Sequence, residues 1–393
     1  MFKISRIIQG MAIAVLALTP LSAALAVPGK SAGVDLDELG QQISAAFNER
    51  NSDVLVEMID MQALGTRVAA TLYENEKARS EFTRGFTRTA KSKDVIAQFF
   101  AQLDGSEGSS TKFMKVVQRG DERRPLLRLD YGDNGFEYLE FVIQQDDKGR
   151  SRIVDWAPLS GGDLYSTSVG MVARLAMGPA PGLIPSFLGL QKIDEKALKQ
   201  MKRIGELRKQ GELQKAYDEM GSLPADLADS RVLLVQRASL ASEAGNDDGY
   251  RKTLARLEEK HGKDPAAAFM LLDHYFYAKD LRKCLEAINA IESRVGSDGM
   301  TQLLRASIHS VMGMPKEAIT HASEAIRLEP DFTSAYFSLA QSHVLVGQFG
   351  EAIDVYKRLE TDFGYEFSKE GFAGDENFKK FIASAQFKKW LEN

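Results

Sequence analysis

Residues 299–332 read GMTQLLRASIHSVMGMPKEAITHASEAIRLEPDF, and residues 333–366 read TSAYFSLAQSHVLVGQFGEAIDVYKRLETDFGYE. When the two segments are aligned without gaps, Gly313 falls on Gly347 and Ala318 falls on Ala352. Four further identities share this offset: Ala306 with Ala340, His309 with His343, Glu317 with Glu351, and Ile319 with Ile353. A fixed period of this length is typical of a repeat architecture. The chain therefore contains a 34-residue repeat.

The same period continues towards the N-terminus. Gly245 lies two periods before Gly313, and Gly211 lies three periods before it. Five units fit without an insertion: 197–230, 231–264, 265–298, 299–332 and 333–366. Glycine at a turn between helices adopts a positive φ without steric cost, so each unit is predicted to be a helical hairpin. Neighbouring hairpins must stack, because one hairpin cannot bury its apolar face alone.

The pattern resembles the tetratricopeptide repeat (TPR). The fifth unit matches the family pattern at Tyr336, Leu339, Ala340, Gly347, Ala352 and Tyr356, and the fourth at Ala306, Gly313, Ala318, Ala325 and Pro330. The third unit keeps Tyr275 but has Lys279 at the turn and Cys284 in a small-residue position, where we expect an inert thiol. The first two units keep mainly the turn glycine, and Tyr250 replaces the small residue in the second. The resemblance implies an all-α TPR solenoid.

The resemblance also implies that the first helix of each hairpin lines a concave groove. The groove positions fall on apolar residues: Met201, Val235, Phe269, Phe276, Leu303, Phe337 and Val344. These side chains either bind an extended or helical peptide or simply pack between the hairpins. TPR variants that clamp a chaperone's C-terminal carboxylate use Lys and Asn in the groove, and these positions hold neither. We therefore expect a protein or peptide partner of another kind.

The C-terminal residues 367–393 are expected to cap the array. Within them, residues 375–392 are predicted to form one amphipathic helix. Its apolar face would comprise Phe378, Phe381, Ile382, Phe387, Trp390 and Leu391. Its lysines, at 379, 380, 388 and 389, would face solvent.

Residues 34–160 have a different pattern. Asp35 with Glu38 indicates a helix start, and further helical patterns cover 52–72 and 77–103. Four strands are then predicted over 111–119, 125–131, 136–145 and 151–158, and the turn sequences at 133–135 and 147–149 favour antiparallel hairpins. Helices followed by a meander indicate an α+β domain. The segments Tyr138–Phe141 and Arg152–Trp156 are similar to the last strands of an NTF2-like (cystatin-like) roll, which implies helices packed on a curved antiparallel sheet around a pocket.

The N-terminus has the composition of a secretory signal peptide. Lys3 and Arg6 precede an apolar stretch, and Ala24-Leu25-Ala26 resembles a cleavage site, so we expect residues 1–26 to be removed. The net charge is -5, and cleavage leaves 48 basic against 55 acidic side chains, or -7. This charge disfavours nucleic-acid binding. With a single cysteine and no later apolar span, the pattern predicts a bacterial periplasmic protein that is not inserted in the membrane.

Residues 161–196 are predicted to join the two halves, with Gly178–Gly182 breaking any helix and Leu183–Leu190 packing at the junction. All five histidines lie in the repeat half, and no metal-ligand spacing or phosphate loop is present. Carboxylate chemistry at Asp155 or Glu140 remains an alternative.

These patterns favour a non-catalytic adaptor without cofactor or metal, which binds its partner through the groove. The alternative is an enzyme or small-molecule binder with its pocket in the roll, recruited by the repeats. A third possibility is that the array drives self-association.

Overall fold

The computed structural model describes residues 35–104, 108–132, 135–177, 195–373 and 375–391. The chain divides into two compact units, residues 1–274 and 275–393. This division falls inside the third predicted repeat. The predicted domain limits at 34–160, 161–196, 197–366 and 367–393 stay predictions. The predicted signal peptide and the junction segments Gly178–Gly182 and Leu183–Leu190 lie outside the described residues.

The first unit begins with five helices, and their starts are set by capping side chains. The helices are α1 (Leu36–Asn48), α2 (Ser52–Met58), α3 (Met61–Leu72), α4 (Glu76–Thr89) and α5 (Ser92–Asp104). The Asp35 carboxylate accepts hydrogen bonds from the backbone N–H groups of Asp37 and Glu38, which confirms the predicted start of α1. The helical patterns predicted over 52–72 and 77–103 are each divided into two helices.

A four-stranded antiparallel sheet follows, as predicted. Its strands are β1 (Ser110–Arg119), β2 (Glu122–Asp130), β3 (Phe136–Gln145) and β4 (Ser151–Pro158), in the order β1-β2-β3-β4. Register shifts leave Met114 of β1 and Val154 of β4 unpaired, which marks a bulge in each of these two strands. Helix α6 (Tyr165–Met177) completes the α+β domain.

The core of the α+β domain consists of aromatic and aliphatic side chains from the helices and the sheet. Phe99 of α5 lies edge-on to Phe47 of α1, with ring centroids 5.6 Å apart, and edge-on to Trp156 of β4 at 5.8 Å. Tyr165 of α6 stacks on Trp156 at 4.2 Å. Most of β3 is buried on both faces, since Tyr138 is as inaccessible as Leu139. The sheet therefore has apolar cover on each side along this strand.

Helical hairpins follow in the first unit. Helices α7 (Glu195–Lys209) and α8 (Leu213–Gly221) form the first, the short α9 (Ala225–Ala228) connects, and α10 (Arg231–Glu243) and α11 (Asp247–His261) form the second. A 3-10 turn, Pro265–Ala267, then leads into α12 (Ala268–Tyr277). The turn glycines Gly211 and Gly245 have φ of 76° and 69°. A Cβ atom at either position would meet nothing within 4 Å, so the backbone conformation alone requires glycine.

The second unit contains α13 (Leu281–Val295), α14 (Gly299–Val311), α15 (Pro315–Leu328), α16 (Thr333–Leu345) and α17 (Phe349–Phe363). Gly313 and Gly347 have φ of 75° and 79°, and Lys279 takes the same left-handed conformation with φ of 54°. The small-residue positions Cys284, Ala318 and Ala352 are completely buried. The structure thus confirms TPR-like helical hairpins in this part of the chain.

The C-terminal segment shares a core cluster with residues of α17, but the single helix predicted over 375–392 is wrong. The segment contains α18 (Lys369–Phe372), a 3-10 turn (Glu376–Phe378), α19 (Lys379–Ala383) and α20 (Ala385–Leu391). Ser384 is extended, with φ of -70° and ψ of 152°, and its hydroxyl accepts the N–H of Phe387, which starts a new helix. The predicted faces are largely observed: Phe378, Phe381, Phe387 and Trp390 are buried, Ile382 is partly buried, and all four lysines are exposed. Leu391, which was predicted on the apolar face, is instead 37% exposed.

Candidate functional site

The groove positions of the first unit are mostly covered. Met201 on α7 is half-buried, whereas Val235 on α10 and Phe269 on α12 are almost inaccessible. Phe269 packs edge-on against Phe136, the first residue of β3, with ring centroids 5.2 Å apart. The α+β domain therefore occupies the side of α12 on which the sequence places a partner-binding residue.

A second contact lies beside this aromatic pair. Arg231, at the start of α10, donates to the backbone oxygen of Gly161 and to Asp163, 2.5 Å from its carboxylate, and pairs with Asp264 at 3.0 Å. Gly162 has a φ of 74°, and a Cβ atom there would lie 2.6 Å from the Cβ of Ala266. We call Arg231, Ala266 and Phe269 the covered face. The loop 159–163 of the α+β domain fits against it so closely that no side chain can be added at Gly162.

The groove positions of the second unit are more accessible. Leu303 and Val344 are buried, but Phe276 and Phe337 are only partly buried. Phe337 packs against Tyr365 and Phe367, which follow α17, with ring centroids 5.0 and 6.2 Å away. Each of these four residues occupies a first helix of its repeat, as predicted, and whether they bind a partner stays a prediction.

An exposed apolar row follows the groove positions in the second unit. Tyr277, Val311 and Leu345 are spaced by 34 residues, so each ends the first helix of its repeat. Tyr277 is 36% exposed, Val311 is 50% exposed and Leu345 is partly exposed. We call these three residues the open row. In the corresponding segments 277–280, 311–314 and 345–348, the charged residues are Lys279 and Asp280. These three residues were not among the groove positions predicted from the sequence, although the sequence contains their 34-residue spacing.

The carboxylates considered for catalysis have structural partners. Asp155 is fully buried, and it accepts hydrogen bonds from Arg67 at 2.9 Å and from the backbone N–H and hydroxyl of Ser166 at the start of α6. Burial raises the pKa of Asp155, and Arg67 opposes this shift. Glu140 forms ion pairs with Arg119 at 2.6 Å and Arg124 at 3.4 Å. Both carboxylates join neighbouring elements of the α+β domain.

Two further buried carboxyl groups have pKa values that burial raises to about 7. Glu137 of β3 accepts hydrogen bonds from the backbone N–H groups of Tyr138 and Ser160 and from the Ser160 hydroxyl, so it fixes the loop that reaches the covered face. Asp273 lies one turn after Phe269 and accepts a hydrogen bond from Tyr250, 2.9 Å away. No sequence pattern indicated either group, because both depend on contacts distant in the chain.

The histidines form contacts within the repeats. The rings of His309 and His321 stack with centroids 5.0 Å apart, and their Nδ1 atoms lie 2.8 Å from the Arg305 and Gln302 oxygens. Burial lowers the pKa of His321, and the charges of His309 and Arg305 add to this effect. Across the described ranges, no group of three His, Cys, Asp or Glu side chains could hold a metal ion.

Comparisons with known proteins identify TPR structures. A tetratricopeptide repeat protein from Parabacteroides merdae shares 18% identity over 58% of this chain and 84% of its own, with a TM-score of 0.37. PilW, a type IV pilus biogenesis factor, shares 11% over 51% and 92%, with a TM-score of 0.35. YrrB, a TPR protein with an unusual peptide-binding site, shares 14% over 46% and 89%, with a TM-score of 0.31. No protein-family model and no curated protein matches the chain.

In the described part of the chain, no helix is both long and apolar enough to cross a membrane.

Proposed function

We propose that this chain is an exported, non-catalytic adaptor that binds a protein or peptide through the first helices of its repeats. The open row carries this proposal. Single exposed apolar residues scattered over a surface are normal, but an exposed apolar patch marks an interaction surface. Large apolar side chains exposed at the same position of successive repeats form such a patch. The groove positions that remain partly accessible, Met201, Phe276 and Phe337, are further candidates for partner contacts.

The spacing of the open row fits a regular partner segment. Packed helices lie about 8–10 Å apart. Residues seven positions apart on an α-helix are separated by about 10.5 Å, and residues three apart on an extended chain by about 10 Å. Helices α14 and α16 pack on each other, so a helical partner with large apolar residues at every seventh position, or an extended one with them at every third, would meet Val311 and Leu345 in turn.

The contacts inside the α+β domain favour the adaptor function over the alternative that this domain contains an enzyme's active site. Its buried carboxylates Asp155, Glu140 and Glu137 each bind residues of neighbouring elements. We propose that this domain is an NTF2-like roll and provides a second docking site; its helices-then-meander order supports this assignment.

We also propose that the protein works in a bacterial periplasm after cleavage at Ala26. The charged start, short apolar stretch and A-x-A sequence support this location. Mass spectrometry of the protein recovered from the periplasm should give a mature chain beginning at Val27. A chain that retains Met1 would contradict the proposed cleavage.

Site-specific photo-crosslinking in cells tests the adaptor proposal. A photoreactive residue at Val311 should crosslink a protein, and the Tyr277→Ser substitution in the same chain should abolish the crosslink. Leu391, a 37% exposed leucine of the second unit that lies outside the open row and the groove positions, is the control position. Equal crosslinking at both positions, or a crosslink unchanged by Tyr277→Ser, would contradict the proposal. A crosslink to a second copy of the chain would instead support self-association.

A further inference from the structure

The loop that reaches the covered face is fixed by the α+β domain itself. The N–H of Leu159 donates to the Tyr138 oxygen at 2.9 Å, and the N–H of Ser160 donates to Glu137 at 3.3 Å. Ser160 is completely buried. These bonds hold Gly161 and Gly162 in one conformation, so the α+β domain presents a preformed surface to the repeats.

The contacts across this surface have complementary chemistry. Phe136 supplies an aromatic edge to Phe269, the Gly161 oxygen and the Asp163 carboxylate accept from Arg231, and the bare backbone of Gly162 approaches Ala266. An aromatic anchor beside an arginine that binds an acid and a carbonyl is the composition of a protein-binding hot spot. Here the bound segment belongs to the same chain.

Both sides retain their own partners without this contact. Arg231 keeps the ion pair with Asp264, which adjoins the repeats rather than the α+β domain. Phe136 lies outside the apolar core cluster of the α+β domain, which includes Leu139 and Phe141. Asp163 and Asp264 are also partly exposed at the edge of the contact. Separation therefore leaves no bare buried charge, and its main cost is the hydration of Phe136 and Phe269, which are 3% and 2% exposed in the docked state.

We propose that the α+β domain is a releasable occupant of the covered face, which closes this part of the repeat array to partners while the domain is docked. The proposal rests on the proposed function in one respect, namely that first helices bind proteins. A partner would have to displace the α+β domain from the covered face, or a second event would have to release it.

Hydroxyl-radical footprinting of the full chain in increasing urea tests this proposal without a partner. Oxidation of Phe136 and Phe269 reports opening of the covered face, and oxidation of Phe47 and Phe141 reports unfolding of the α+β core. We expect Phe136 and Phe269 to become several-fold more reactive at a urea concentration that leaves Phe47 and Phe141 protected. Circular dichroism on the same samples monitors the helices.

A matched pair of variants sharpens the result. Arg231→Gln should lower the urea concentration at which Phe269 becomes reactive. Arg256→Gln, which removes an arginine of α11 paired with Asp229 and Glu259, should leave it unchanged. Simultaneous exposure of all four phenylalanines, or an Arg231→Gln variant identical to wild type, would overturn the proposal. Because no partner is present, these outcomes are independent of the crosslinking result at Val311.

Discussion

The covered face and the open row are two parts of one repeat pattern with opposite surroundings. Phe269 and Phe337 occupy the same repeat position, 68 residues apart, yet Phe269 lies under Phe136 of the α+β domain and Phe337 stays partly accessible. Arg231 is engaged by a loop of the same chain, whereas Tyr277 and Val311 expose apolar surface to solvent. An apolar residue at a groove position can therefore be buried by another part of the same chain or remain accessible to a partner. The contacts made by the rest of the chain determine which of the two occurs.

The largest expected difference concerns the two phenylalanines. Phe269→Ala should destabilise the protein by about 3–4 kcal/mol, because it leaves a cavity under Phe136. Phe337→Ala should cost about 1–2 kcal/mol, since part of that side chain is already hydrated. Urea denaturation followed by circular dichroism measures both free energies of unfolding. Equal costs would remove the distinction between the covered and open regions.

Two glycines with the same backbone conformation provide the next comparison. Gly162→Ala should cost about 3 kcal/mol, the sum of left-handed backbone strain and a clash with Ala266. Gly313→Ala should cost about 1 kcal/mol, because its φ of 75° is strained but no atom lies within 4 Å. The same denaturation experiment applies. A cost at Gly162 no larger than at Gly313 would show that the loop does not fit closely on the covered face.

Glu137 should make the stability of the first unit depend on pH. Burial raises its pKa to about 7 from the ordinary 4.5, so the folded state binds the proton more tightly than the unfolded state. The stabilising effect of this proton is fully present below about pH 4.5 and is lost as the pH rises through about 7. The difference is roughly 2–3 kcal/mol. Urea midpoints at pH 5 and pH 8 measure it.

Glu137→Gln is the control for that pH dependence. The amide cannot ionise, and its oxygen can still accept from the N–H groups of Tyr138 and Ser160. The urea midpoints of Glu137→Gln at pH 5 and pH 8 should therefore differ less than those of the wild type. An unchanged pH dependence in Glu137→Gln would assign the effect to another group.

The smallest expected effect concerns the turn that lacks glycine. Lys279→Gly should stabilise the second unit by about 0.5 kcal/mol, because relief of the left-handed strain slightly exceeds the entropy of a more flexible unfolded chain. Lys316→Gly, at an exposed helical position in α15, should instead destabilise by about 0.5–1 kcal/mol. Thermal unfolding resolves the two signs. A destabilised Lys279→Gly variant would show that the lysine side chain contributes to the turn.

Local patterns predicted most of the fold. The 34-residue period gave the turn glycines, and the alternation in β2 together with the turns gave four strands within three residues of their observed ends. Both signals act over a few neighbouring residues, so they can be read from the chain. The break at Ser384 was missed because amphipathic spacing continues across it while its hydroxyl caps a new helix.

The candidate site was less predictable because its determinants are distant in sequence. Phe136 and Phe269 are 133 residues apart, and Arg231 lies 68 residues from Asp163. No periodicity relates these positions. The open row, in contrast, follows the repeat period, and its accessibility could not be read from the sequence since it depends on what the rest of the chain leaves uncovered.

Footprinting of Tyr277 and Leu391 in intact cells tests the central claim most directly. These residues of the second unit are 36% and 37% exposed, but Leu391 lies outside the open row and the groove positions. If a partner binds the open row, oxidation of Tyr277 should fall several-fold in cells relative to the purified protein, while oxidation of Leu391 should stay the same. Equal oxidation of Tyr277 in the two settings would contradict partner binding at this row.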